Sequence, residues 1–145
     1  MINSIIENED YKQLMCHQVK QTIEFLLNQG QEFAVTANLD SITFEPKLPN
    51  SIYTQLSKFS LFVLSNYTYS TIKIDDDFIY FEAGFGSENF GSNVKIPLYG
   101  IFQIIIDESI LFINSVATVD KFNKDLVQKS KNIFKSNPNN KNLLK

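Results

Sequence analysis

The sequence predicts an α+β fold that is mainly β: one amino-terminal helix, then a small antiparallel sandwich or barrel of the SH3-like kind. Three observations carry this. Apolar residues recur at helical spacing between residues 9 and 29. Beyond residue 30 they come in short runs broken by Gly, Pro, Asn and Asp, which is strand-and-turn patterning. The chain has 145 residues, 43% of them hydrophobic and 20% charged, so it suits one domain with a proper core.

Residues 1–9 read as a loose leader. Residues 9–29 form the helix, with Asp10 as a possible N-cap and Gly30 as a natural C′ residue. Its apolar stripe includes Tyr11, Met15, Val19 and Ile23, with Cys16 and Phe25 beside them. That is wider than one sheet needs. Two readings stay open: a helix tucked deep, or one that packs on its own domain with one side and on a second subunit with the other.

Phe33, Val35, Ala37 and Leu39 alternate with smaller or polar neighbours and give a strand over 32–39. Residues 42–44 suggest a short strand, and Pro46 and Pro49 fix the loop after it. Residues 52–58 fit either a helical turn or a broken strand. Residues 59–64 form an apolar run short enough for a buried strand. Tyr67 and Tyr69 then read as neighbours on one strand face by the two-residue period. Asp75, Asp76 and Asp77 are turn chemistry ahead of a strand over 78–85. A loop over 86–93 separates this from an extended piece at 94–98. Residues 99–106 fit a short helix or a strand, and 110–113 give the last strand. Helical spacing returns at Val119, Phe122, Leu126 and Ile133. The resulting division is a leader at 1–9, a domain at 10–115 and a helical or flexible tail at 116–145.

Charge is unevenly placed. Residues 1–120 carry a net −9 and residues 121–145 a net +6, and every basic residue is lysine. An acidic body without guanidinium groups is a poor nucleic-acid surface. The apolar stretch near 99–113 is interrupted by Gln103, Asp107 and Glu108, short of the roughly 20 residues that span a bilayer. One cysteine permits no internal disulfide, and the first ten residues hold acids where a secretion signal holds positive charge. A cytoplasmic protein is expected.

No catalytic constellation is evident, and no cofactor or metal is expected. Cys16 and His17 are adjacent, so on a helix they diverge by about 100° and cannot act as nucleophile and base; a core cysteine and a surface histidine explain them. Three consecutive acids at 75–77 lack the ligand spacing of a calcium loop. Gly84, Gly86 and Gly91 lack the lysine and the following helix of a phosphate-binding loop. They read either as a flexible connection or as a place where a ligand backbone comes close. Tyr67 and Tyr69 read either as half-buried structural tyrosines or as a peptide-binding surface.

The order of these segments resembles the stringent starvation protein B family, adaptors of the ClpXP protease, and most of all its alphaproteobacterial branch. The likeness runs over about residues 11–114. It rests on the helix from Tyr11, the strand from Phe33 to Leu39, the stretch from Leu64 to Ile72, the Phe-rich strand ending at Phe85 and Gly86, the segment from Ile96 to Ile101, and that from Asp107 to Phe112. The resemblance implies an SH3-like or Sm-like barrel, a homodimer formed through the first helix (Tyr11, Met15, Val19, Ile23), and a groove for the ssrA degradation tag. Mapped residue by residue, the groove would draw on Tyr67, Tyr69, Phe85, Gly86, Val94 and Ile96. Docking on the ClpX amino-terminal domain would fall to Val119, Asp120, Phe122 and Lys124, or to Leu143, Leu144 and Lys145. A secretion-type chaperone that holds an extended client is the rival of another class. A small enzyme is a third possibility, without residues to assemble it.

Overall fold

A computed structural model describes residues 2–123. It has an α+β architecture: two amino-terminal helices, then eight antiparallel strands in two four-stranded sheets. Residues 1–9 are not simply a leader, because a short helix α1 occupies Ile2–Ile6. Helix α2 spans Glu9–Asn28. Asn8, rather than Asp10, caps it, its side chain accepting the Asp10 and Tyr11 amides. At the other end Gly30 has φ +66, and the Gly30 and Gln31 amides reach back to Leu27 and Leu26. This is the left-handed C′ glycine expected there.

The first sheet has strand order β3-β1-β7-β8, from Phe59–Leu64, Phe33–Asn38, Ile101–Ile106 and Ser109–Ile113. The second has order β2-β6-β5-β4, from Thr43–Glu45, Phe90–Pro97, Phe78–Phe85 and Lys73–Ile74. Their inner faces meet as a sandwich around Val35, Phe62, Leu64, Ile79, Phe81, Val94, Ile96 and Ile104, all buried. Each such side chain contributes about 1.5–3 kcal/mol by leaving water. Helix α2 closes one end of the sandwich with Cys16, Val19, Ile23 and Leu26. So Met15, Val19 and Ile23 are consumed within their own domain. They are not free to meet a partner, as the resemblance would have had it. The exposed apolar residues of α2 are Leu14 and Phe25.

One other expectation changes and two open readings close. Strand β3 is buried on one face only: Ser60, Phe62 and Leu64 point inward, while Leu61 and Val63 are 58% and 62% exposed. The ambiguous stretch near 52 forms a helical turn, α3, at Asn50–Tyr53. Residues 99–106 divide, a 3-10 turn at Leu98–Gly100 leading into β7.

The body also extends past residue 115. Val116, Val119 and Phe122 are buried with Met15 in a second cluster, against Ile6, Tyr11 and Tyr99. Buried asparagines hold this segment down. Asn38 donates to the Ala117 carbonyl at 3.0 Å. Asn114 donates to the Ile101 and Tyr99 carbonyls and accepts the Val116 amide. Ion pairing adds to this, with Lys58 donating to Asp120 at 3.1 Å.

Candidate functional site

The outer face of the second sheet carries a furrow, and strand registry explains its floor. On β5 and β6 the inward pairs are Ile79 with Ile96, Phe81 with Val94, Ala83 with Ser92 and Phe85 with Phe90. The outward pairs are Tyr80 with Lys95, Glu82 with Asn93, and Gly84 with Gly91. Strands β2 and β4 widen two of these rows, adding Glu45 beside Asn93, Thr43 beside Lys95 and Lys73 beside Tyr80. The open face therefore has three bands. One is glycine, one holds two carboxylates around an amide, and one holds two lysines around a tyrosine.

The glycine band makes the floor concave. A methyl group at Gly91 would touch nothing within 4 Å, so its backbone faces open space. Gly84 is partly roofed by the Asn89 side chain, which a methyl group there would strike. The concavity measures about 470 Å³ and is lined by Tyr67, Asn66, Glu82, Gly84, Gly91, Asn93 and Glu45, among others. A second one of about 670 Å³ continues it over the lysine band and shares Glu45, Glu82 and Asn93. Both lie in the size range of small-molecule and peptide sites.

One wall comes from α4, Asn66–Ser70. This segment is helical, not the strand expected from alternating tyrosines. Asn66 takes φ +53, and its amide donates to Glu32 at 2.6 Å. The Ser70 and Thr71 hydroxyls donate to the Tyr67 and Thr68 carbonyls. Such short hydroxyl-to-carbonyl bonds favour a turn over a ladder. The Thr71 hydroxyl also accepts the Glu82 amide at 2.9 Å, tying the wall to β5.

Helical geometry separates the two tyrosines. Tyr67 is 67% exposed, and its hydroxyl donates to Glu82 at 3.3 Å. The Glu82 charge, and then this bond, raise the Tyr67 pKa above its ordinary value. Tyr69 turns the other way. Its ring meets Phe33 edge-on at 6.4 Å, and its hydroxyl is buried without a hydrogen-bond partner among the described residues.

Of the six groove residues expected, Tyr67 alone stands exposed in the furrow, and Val94 borders its second part while remaining buried. Val94 and Ile96 are 1% and 0% exposed. Phe85 packs its ring 5.6 Å from Phe44 and 6.3 Å from Phe62. Gly86 sits in the β5–β6 turn at φ +75, against Ile52. The connection over 86–93 is also shorter than expected, since β6 starts at Phe90. The residues missed are Glu82 and Asn93, while Gly84 and Gly91, expected in a connection where a ligand backbone could come close, lie paired on β5 and β6 instead. A strict two-residue period would have found Glu82 and Asn93, because Val94 and Ile96 belong inside and their polar neighbours outside.

The far end of the furrow is anchored by charge. Asp75 accepts the Asp77 and Phe78 amides and the Tyr80 hydroxyl, and these bonds hold its pKa below the usual carboxylate value. The triple aspartate is thus a hairpin turn, with Lys20 donating to Asp76 at 2.6 Å. Lys95 lies 4.1 Å from the Phe78 ring centre. Cys16 is buried, which raises its thiol pKa, and His17 is exposed. No group of three or more His, Cys, Asp or Glu side chains among the described residues is placed to hold a metal ion. No helix among them is long and apolar enough to cross a membrane.

The expected docking residues divide. Val119 and Phe122 are buried at 8% and 2%, and Asp120 faces Lys58. They belong to the body and are not a free docking segment. Lys124, Leu143, Leu144 and Lys145 lie outside the described residues. Neither a scan against protein-family models nor a search of curated proteins found a match for this chain.

Proposed function

We propose that this protein is a non-catalytic adaptor that holds an extended peptide of the ssrA type in the furrow and delivers the tagged protein to ClpXP. The observation that carries the reading is the floor left open at Gly91 beside the exposed Tyr67. A glycine without a side chain over it, as at Gly91, lets a peptide backbone approach, and a tyrosine edge adds a rigid, amphipathic contact at low entropy cost. The resemblance of residues 11–114 to the adaptor family supplies the ligand class. The basic residues 124–145, with Lys124, Leu143, Leu144 and Lys145, are the part left to meet ClpX. Tethering of this kind acts by raising local concentration and needs no new chemistry.

The test is a titration of the full chain into a fluorescent ssrA-type peptide, read by anisotropy, beside ClpXP degradation of an ssrA-tagged reporter. Saturable binding with faster degradation is expected. No binding at high micromolar protein refutes the reading.

A further inference from the structure

The furrow changes charge along its length. From the glycine end it passes Glu45 and Glu82 on either side of Asn93, then Lys95 and Lys73 on either side of Tyr80. The two concavities join over the carboxylate band, which lines both of them. Successive bands lie two residues apart on β5 and β6, about 6.6 Å along a strand. An extended peptide repeats its side chains on one face at that same interval. So a peptide lying along β5 and β6 that sets one side chain over the carboxylates sets the side chain two residues away over the lysines. The charges of both bands stand unneutralised. Among the described residues, Glu45, Glu82, Lys73 and Lys95 take part in no ion pair. Glu82 receives only the Tyr67 hydroxyl on its side chain, and Lys95 rests over the Phe78 ring, which leaves its ammonium able to meet an anion. Asp75 borders the lysine band, but its oxygens already take the Asp77 and Phe78 amides and the Tyr80 hydroxyl. One such carboxylate against two lysines leaves that band net positive.

We propose that the furrow selects its peptide by charge order: a basic side chain over Glu45 and Glu82, and an acidic side chain two residues away over Lys73 and Lys95. The inference rests on the furrow being a peptide site and adds the class of peptide it takes. Each band holds two like charges two strands apart, about 9–10 Å. A ligand charge of opposite sign between them meets both and offsets their mutual repulsion. Concave walls focus these fields more than an open surface does. A peptide with the wrong sign at either band meets repulsion there, so discrimination comes from both attraction and rejection. Both chain directions satisfy the spacing, so the basic residue can come before or after the acidic one.

The experiment is an anisotropy titration of the full chain, at 50 mM salt, into fluorescent peptides of one ssrA-type host sequence. They differ only in two substituted residues: Lys-x-Glu, Glu-x-Lys, an adjacent Lys-Glu, and the uncharged Gln-x-Gln. One or both of the spaced charged peptides should bind at least fivefold tighter than Gln-x-Gln, the size of two partly exposed ion pairs. The adjacent pair, whose side chains face opposite ways, should gain less than twofold. The gap should shrink at 500 mM salt. It should also shrink at least threefold in Lys73→Gln and in Glu45→Gln, both at exposed positions, with the fold verified by urea unfolding. Equal affinity for charged and uncharged peptides, or a gap kept in both variants, overturns the charge selection and leaves the furrow as a peptide site. No binding of any of the four peptides overturns the furrow reading itself, and this inference with it.

Discussion

Substituting Gly91 by valine separates the furrow from the fold. In most strands such a change would have to find space, but a Cβ at Gly91 meets no atom within 4 Å. The residue is also not among the glycines with positive φ, so valine meets no backbone strain. Glycine inside a strand costs roughly 0.5–1 kcal/mol relative to a residue with a side chain, and valine has high strand preference. Gly91→Val should therefore unfold in urea at an equal or higher midpoint, by up to about 1 kcal/mol. Its isopropyl group would stand on the floor where a peptide backbone must lie. Peptide affinity should fall at least tenfold, about 1.4 kcal/mol or more. Gly86→Ala is the counterpart. It meets φ +75 and an Ile52 methyl at 3.1 Å, so it should lose about 1 kcal/mol or more of stability without touching the floor. Anisotropy and urea unfolding on the same samples read both effects. If folded Gly91→Val binds an ssrA-type peptide as well as the wild type, the glycine band is not the binding floor.

Three further outcomes follow from the packing. Tyr69→Phe removes a buried hydroxyl that has no partner, so stability should stay equal or rise by about 1 kcal/mol, measured by urea unfolding; a clear loss would mean the hydroxyl is bonded. Ile96→Ala should cost about 2–5 kcal/mol, while the folded variant keeps its peptide affinity within threefold, because this side chain is core rather than groove. Asp75→Asn should flatten the acid limb of the stability profile. The ionised carboxylate is favoured in the fold, so it stabilises above the unfolded pKa near 4, and that gain is lost as pH falls through the lower folded value. Urea midpoints between pH 5 and pH 2 should drop less steeply in the variant than in the wild type.

The fold class was legible because its signals are periodic and local. Helix α2 announces itself by spacing and by Gly30, and most strands by short apolar runs between turn residues. The stretch from Ser65 to Thr71 misled because the alternation of Tyr67 and Tyr69 imitates a strand. Its serine, threonine and asparagine content was the better guide, since those side chains satisfy the backbone locally. The segment after Asn114 could not be assigned from pattern alone. Its burial depends on Asn38, Asn114 and Met15, which are distant in sequence from most of what they hold. The furrow itself is a product of registry. Which glycine faces which glycine across β5 and β6 follows from the turn at 86–89, and only pairing reveals that the two stand side by side.

The most direct measurement is amide chemical-shift mapping of the labelled full chain during addition of an ssrA-type peptide. Shifts should saturate together and centre on Tyr67, Glu82, Gly84, Gly91 and Asn93, with the outer face of the first sheet unmoved. A spectrum unchanged at millimolar peptide, or shifts confined to surfaces away from that furrow, would contradict peptide binding there.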